Sequence, residues 1–299
     1  MFDLLIIGAG PAGIAAGIYA IRNGLKVGII EGDAPGGKVV YTASVENYPG
    51  YSRIDGPDLA YSMFKQIMDL GVEYFSFNAG SVVKQDDHFL IHGDEDLYAR
   101  KVIIATGTKN RKLHLPGEDR YTNRGISWCA ICDGALYRNK DVAVIGGGNS
   151  ALEESIYLSG IVSHVYLIHR REDFRAERQI VEKVKSNPNI SLILDTNVLE
   201  FKGDEALRKL RLHNQKTGAE SELAVSACFE FVGMIPATEF VSDLCITDEN
   251  GYIIVDENQE TKVKGLYAAG DVVVKKVRQI VTAVNDGAIA ALHIIRQIR

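Results

Sequence analysis

Leu4-Leu5-Ile6-Ile7-Gly8-Ala9-Gly10-Pro11-Ala12-Gly13 stands almost at the start of the chain, and its reading decides the fold. Four apolar residues in a row make a buried strand, and Gly-x-Gly-x-x-Gly makes the turn after it. Ile14 to Arg22 then continue at helical spacing, and Lys26 to Ile30 form a second apolar run that ends in Glu31. The glycines permit a tight turn and let a pyrophosphate approach a helix N-terminus, while an acid at the end of the second strand holds a ribose hydroxyl. The loop by itself is a weak signal. Strand, turn, helix, strand and acid in this order within about 30 residues make it a specific one.

The unit returns at an offset of 138 residues. Leu4–Ile7 corresponds to Val142–Ile145, Gly8 to Gly146, Ile18-Tyr19 to Ile156-Tyr157, and Glu31 to His169. The second loop reads Gly146-Gly147-Gly148-Asn149-Ser150-Ala151, with alanine in place of the third glycine. A repeated dinucleotide-binding unit implies two dinucleotides and an α/β chain with two Rossmann-like domains.

The copies differ where the ribose is read. Glu31 suits a free 2′-hydroxyl and repels a 2′-phosphate. The second copy ends instead in His169-Arg170-Arg171, with Arg175 and Arg178 beyond. Guanidinium forks match phosphate geometry and stay charged, so the second copy is expected to prefer NADPH over NADH. The first is then the natural home of a flavin dinucleotide, FAD.

Between the two copies lies Trp128-Cys129-Ala130-Ile131-Cys132-Asp133-Gly134. Cys-x-x-Cys spacing lets two sulfurs close a small ring, and it equally supplies two of the four ligands of a zinc site. No second pair of ligands accompanies it: Cys228 and Cys245 stand alone, and His114 forms no ligand pattern with the pair. Two dinucleotide fingerprints need a reducible partner, which favours a redox-active Cys129–Cys132 disulfide and no metal. Asp133, directly after the second cysteine, is the candidate acid/base for thiol–disulfide exchange.

Composition narrows the class. The 299 residues are 46% hydrophobic and 24% charged, which supports an ordinary globular core and more than one domain. A net charge of -6 argues against nucleic-acid partners. Met1-Phe2-Asp3 lacks a basic region and leads straight into the first strand, so it does not read as a signal peptide. No run approaches 18 consecutive apolar residues, so no membrane span is expected, and the expected location is cytoplasmic.

The remaining chain punctuates these units. Asp58–Asp69 has the pattern of an amphipathic helix. Val82-Val83, Phe89–His92 and Leu97–Val102 have the pattern of strands in a small sheet, and Lys101–Ile104 that of a separate buried strand ending at Ala105-Thr106-Gly107. Ser191–Leu199 and Leu207–His213 alternate as an antiparallel pair, Ala227–Val232 is a buried strand, and Thr282–Ile295 is a helix. Leu115-Pro116-Gly117 and Gly233-Met234-Ile235-Pro236 interrupt the pattern where the chain is expected to pass from one domain to the other.

Taken together, these motifs resemble the low-molecular-weight thioredoxin reductases of the FAD- and NADPH-dependent pyridine nucleotide-disulfide oxidoreductases, from Leu4 to the C-terminus. The resemblance rests on the two glycine loops, Ala105-Thr106-Gly107, the Cys129–Gly134 stretch, His169-Arg170-Arg171 with Arg175, and Ala269-Gly270-Asp271 with Arg278-Gln279. It implies an FAD domain over residues 1–111 and 236–299, with an NADPH domain over 112–235 inserted into it and carrying the disulfide. By the same resemblance FAD is held by Gly8, Gly10, Pro11, Ala12 and Gly13, by Glu31 and Gly32, and by Gly36, Gly37 and Lys38. Asn47, the strand end Ala105, Thr106 and Gly107, and the C-terminal group Gly270, Asp271, Arg278, Gln279 and Ile280 complete that set. NADPH falls to Gly146, Gly148, Asn149, Ser150, His169, Arg170, Arg171 and Arg175. The resemblance further implies a homodimer, thioredoxin as protein substrate, and an inserted domain that rotates in each cycle. Two positions depart from the family pattern: Lys38 follows the two glycines where glutamine is usual, and Ala237 stands where asparagine is common.

Overall fold

A computed structural model describes residues 1–42 and 44–298. The chain is α/β and divides into two compact units, Met1–Lys109 with Ile235–Arg299, and Asn110–Met234 between them. Among the described residues no helix is long and apolar enough to cross a membrane.

The discontinuous unit is built on a seven-stranded sheet. Phe2–Ile7 lies at its centre, parallel to Val27–Ile30 on one side and to Leu97–Ile104 on the other. Val27–Ile30 and the second half of Leu97–Ile104 are buried on both faces, as parallel strands covered by helices must be. Helices Pro11–Arg22 and Ile280–Ile298 cover one face and touch each other closely: a Cβ on Gly287 would lie 2.0 Å from the carbonyl oxygen of Ala12. The other face buries Phe89, Ile91, Val102, Leu266 and Val272.

Two strands expected at Leu97–Val102 and Lys101–Ile104 are in fact one, Leu97–Ile104. Its first half alternates buried and exposed residues and pairs antiparallel with Phe89–His92; its second half is buried on both faces and pairs parallel with Leu266–Ala268. One strand thus changes partner midway, and the change of partner looks like a break in the sequence. The expected small sheet is part of the large one for the same reason.

The inserted unit has an all-parallel five-stranded sheet in the order Ile190–Ile193, His164–Ile168, Asp141–Gly146, Ala227–Phe231, Ile126–Ser127. Helices Asn149–Ser159 and Arg178–Lys185 flank it. An antiparallel meander, Thr196–Gly203, Leu207–Asn214 and Glu220–Ala224, is attached to it. The expected strand Ser191–Leu199 is two strands. Asp195 takes a left-handed conformation (φ 51°), which ends the parallel strand at Ile193 and lets Thr196 begin the antiparallel one. The third meander strand escaped the pattern because it is a largely exposed, polar edge. The two connections between the units, Thr108–Asn110 and Met234–Pro236, pair as a two-stranded ribbon.

Candidate active site

The two glycine loops fold alike. Gly8 and Gly146 have φ of 109° and 155°, where a side chain is strained. A Cβ at either would also strike the carbonyl oxygen of the adjoining strand end, Ala105 at 2.4 Å and Phe231 at 2.5 Å. Gly10 and Gly148 then hold extended backbone as the N-caps of their helices, and neither helix is capped by a side chain. The first amides of both helices are therefore left for a ligand's phosphates. Pro11 occupies the first helical turn, where its missing N–H costs nothing. Gly13 is a packing residue, since its Cβ would lie 1.9 Å from the Gly8 carbonyl oxygen.

In the discontinuous unit, the residues expected to hold a flavin dinucleotide form a connected set. Glu31 accepts the Ala9 amide at 2.8 Å with one carboxylate oxygen and the Asp33 amide at 2.9 Å with the other. Gly32 faces Asn78, whose side chain occupies the space of a Cβ. Gly36 and Gly37 have φ of 110° and 58°, and a Cβ on Gly37 would lie 3.3 Å from Gly10 Cα. Two bare backbone segments thus face each other, a cradle that side chains would fill and a pyrophosphate fits. Lys38 donates from Nζ to Asp271 at 2.6 Å and to Thr108 at 2.8 Å. Thr106 donates to the Ala237 carbonyl at 2.8 Å, and Gly107 (φ 64°) follows it. Asn47 donates to Gln279 at 3.2 Å. Arg278 donates to the Asp271 and Val273 carbonyls and stacks over Tyr252. Ile280 starts the last helix and packs against Val39, Val45 and Leu59.

Sequence reasoning missed two contributors here, Thr108 and Asp286. Asp286 accepts the Gly270 amide at 3.0 Å and forms a partly buried ion pair with Lys275, so it fixes the turn that presents Asp271. No local pattern marks a helix residue that acts on a loop 16 positions away.

In the inserted unit, His169, Arg170, Arg171 and Arg175 cluster at the end of His164–Ile168. The Arg175 amide donates to the Gly147 carbonyl at 2.7 Å, which brings the basic loop beside the glycine loop. His169 is buried, stacks on Phe174 at 5.3 Å, and bonds the Asp173 carbonyl at 3.1 Å. Its ring fills the space beside Gly147, where a Cβ would lie 2.1 Å away. Burial pushes the imidazole below its ordinary value; the Asp173 bond opposes this, and the charges of Arg170, Arg171 and Arg175 add to it. His169 is thus a neutral packing group, whereas the three arginines are exposed and free to meet a phosphate. Asn149 exchanges hydrogen bonds with Glu177, donating at 3.0 Å to its carboxylate and accepting its amide at 2.8 Å. Ser150 is exposed on the first turn of its helix.

Cys129 and Cys132 are joined as a disulfide, with an S–S distance of 2.04 Å. Ala130–Asp133 forms a single helical turn, capped where Cys129 Sγ accepts the Cys132 amide at 3.1 Å. The Cys129 amide in turn donates to Ser127 Oγ at 3.0 Å. Cys132 is exposed, and Cys129 and Asp133 are half-buried. Burial, and after it the charge of Asp133, raise the hydroxyl of Tyr137 above the usual tyrosine value. Of the other cysteines, Cys228 is buried and Cys245 is exposed.

Comparison with known proteins bears on this geometry. The family model of the pyridine nucleotide-disulphide oxidoreductases matches residues 2–287. The thioredoxin reductase of Ureaplasma parvum is 46% identical over 98% of this chain and 96% of its own length. That of Mycoplasma genitalium is 44% identical over 98% and 94%. The crystal structure of Lactococcus lactis thioredoxin reductase superposes with a TM-score of 0.97 at 42% identity, covering 99% of this chain and 98% of that one.

Proposed function

The chain belongs to the pyridine nucleotide-disulphide oxidoreductases, and within them to the thioredoxin reductases, and on that premise we propose that it carries electrons from NADPH through FAD to Cys129–Cys132 and on to thioredoxin. It is an oxidoreductase. The observation that carries the finer reading is the Cys129–Cys132 disulfide in the same unit as a glycine loop flanked by Arg170, Arg171 and Arg175.

In this reading the discontinuous unit holds FAD and the inserted unit holds NADPH. Gly8, Gly10, Gly36 and Gly37 leave backbone bare for the FAD pyrophosphate. Glu31 receives the ribose hydroxyls, and Asp271, steadied by Lys38 and Asp286, receives the polar middle of the molecule. Gly146, Gly148 and the amides of Asn149 and Ser150 receive the NADPH pyrophosphate, and the arginines its 2′-phosphate. The bound nucleotides supply the two-electron transfer that opens the disulfide.

The chemistry that follows belongs to the chain's own sulfurs. One thiolate of the pair attacks a sulfur of the thioredoxin disulfide, forming a mixed disulfide and releasing one thioredoxin thiolate. The second thiolate then attacks the enzyme's sulfur in that bond, which frees thioredoxin as a dithiol and re-forms Cys129–Cys132. Two electrons and two protons leave the enzyme. Asp133 holds the proton that passes between thiol and thiolate. The ribbon Thr108–Asn110 and Met234–Pro236 would be the hinge on which the inserted unit turns, so that its glycine loop and its disulfide are presented in alternation. The working form is a cytoplasmic homodimer.

Anaerobic titration tests the reading. Wild-type holoenzyme takes up two two-electron equivalents, one for flavin and one for the cysteine pair, and oxidises NADPH steadily when thioredoxin is supplied. Cys129→Ser takes up one and stalls. Equal uptake by both proteins removes the disulfide from the electron path, and absent turnover with thioredoxin leaves the partner unidentified.

A further inference from the structure

We propose that Glu230 is a positioning residue for the redox pair, holding the Trp128–Cys129 segment through a proton that it shares with Glu118. The proposal rests on the reading of Cys129–Cys132 as the redox pair.

Ala227–Phe231 runs parallel to Ile126–Ser127, with Cys228 opposite Ile126 and Phe229 opposite Ser127. Glu230 is therefore level with Trp128, the residue before Cys129. Glu230 has no exposed surface, and Glu118 is 1% exposed. Among the described residues, the carboxyl oxygens of Glu230 and the indole nitrogen of Trp128 make no hydrogen bond of good geometry, although Glu230 lies close enough to interact with both Trp128 and Glu118. The polar groups that face Glu230 are Glu118 and the Trp128 indole, with Lys112 beyond them. Glu118 already accepts two amides, Leu113 at 3.1 Å and Leu115 at 3.0 Å, and so fixes the segment that enters the inserted unit.

Two buried carboxylates side by side can accept hydrogen bonds but cannot give one. One proton resolves this. Protonated Glu230 donates to Glu118, and its carbonyl oxygen is left for the Trp128 N–H. Loss of that proton sets two like charges together in a buried site, against the segment that carries Cys129. The remaining charges do not compensate. Lys112 lies 5.8 Å over the Trp128 ring but is exposed and paired to Asp119 at 3.0 Å. Cys228, on Glu230's own strand, is a buried thiol whose value is itself pushed up by burial and by the two glutamates. Burial and the Glu118 charge raise the Glu230 carboxyl to about 8.

Trp128 is the chain's single tryptophan, so its emission reports this site alone. Oxidised holoenzyme titrated from about pH 6 to about pH 10 is expected to show one sigmoidal change in tryptophan emission, with its midpoint near that of a raised carboxyl. Glu230→Gln should abolish it; Glu230→Leu, which also removes the charge while filling the space, keeps the test alive if the glutamine variant does not fold. A second readout uses NADPH-reduced enzyme and iodoacetamide, with the Cys129 and Cys132 peptides resolved by mass. The wild-type rate profile should carry an inflection that Glu230→Gln lacks, with a several-fold difference between the two proteins above it. An emission midpoint unchanged in Glu230→Gln, or identical alkylation profiles, overturns the proposal. Failure to reduce thioredoxin with the emission titration intact would instead count against the assigned partner.

Discussion

Glu31 reaches back across its own glycine loop, accepting the Ala9 amide at 2.8 Å while its other oxygen takes the Asp33 amide at 2.9 Å. The carboxylate thus shapes the loop as well as offering itself to a ribose. Glu31→Gln keeps one acceptor and loses one charge-assisted bond, worth about 1.5–3 kcal/mol. FAD should be held roughly ten- to a hundredfold less tightly. Flavin fluorescence in the filtrate after ultrafiltration measures this, and wild-type retention would confine Glu31 to loop structure.

Gly146 and Gly148 sit two positions apart and should respond oppositely to alanine. A Cβ at Gly146 meets the Phe231 carbonyl oxygen at 2.5 Å on a backbone with φ of 155°, whereas one at Gly148 meets nothing within 4 Å. Gly146→Ala should lose roughly 2 kcal/mol or more of folding stability through overpacking. Gly148→Ala should melt as wild type yet bind NADPH weakly, because its new methyl would project into the open space proposed for the pyrophosphate. Unfolding curves and nucleotide titration separate the outcomes; equal melting points for the two variants would contradict the assignment.

Arg170→Ala and Arg175→Ala should weaken NADPH by about ten- to a hundredfold each and leave NADH nearly unchanged, as expected for a lost contact of about 1.5–3 kcal/mol to a 2′-phosphate. KM measured for both nucleotides decides it. A matched loss for NADH would make these arginines surface charge only.

His169 gives a pH dependence with a definite sign. Its imidazole is depressed in the fold, by burial first, so the unfolded chain binds the proton more readily. Its contribution to stability is present above the ordinary imidazole value of about 6.5 and is lost as pH falls below it. Thermal unfolding should therefore show a steeper acid loss as pH falls below about 6.5 in wild type than in His169→Gln, which cannot titrate. Parallel curves would mean that His169 is not the sensing group.

The readable part of this protein is the part written in local periods. Leu4–Gly13 and Val142–Ala151 each carry strand, turn and helix within a few residues, because backbone sterics at Gly8 and Gly146 and the burial of a strand on both faces are local demands. The Cys-x-x-Cys spacing and the arginines after His164–Ile168 are equally local. The offset repeat of the glycine loops makes two dinucleotide folds legible in the sequence itself.

What only the tertiary structure decided depends on partners distant in sequence. Leu97–Ile104 is one strand because Phe89–His92 and Leu266–Ala268 share one of its edges, and neither partner is announced within it. Lys38 meets Asp271, and Asp286 meets Gly270, through chain closure between the first helix and the last. Glu230 sits within an apolar run and reads as an ordinary strand residue; its meaning comes from Trp128, brought level with it by parallel pairing, and from the buried Glu118. Sequence alone therefore determined the two glycine loops and the Cys129–Cys132 pair, whose requirements lie within one turn of backbone. The electrostatic surroundings of those groups were settled by the fold, since a charge's energy depends on what surrounds it in space and not on its neighbours in the chain.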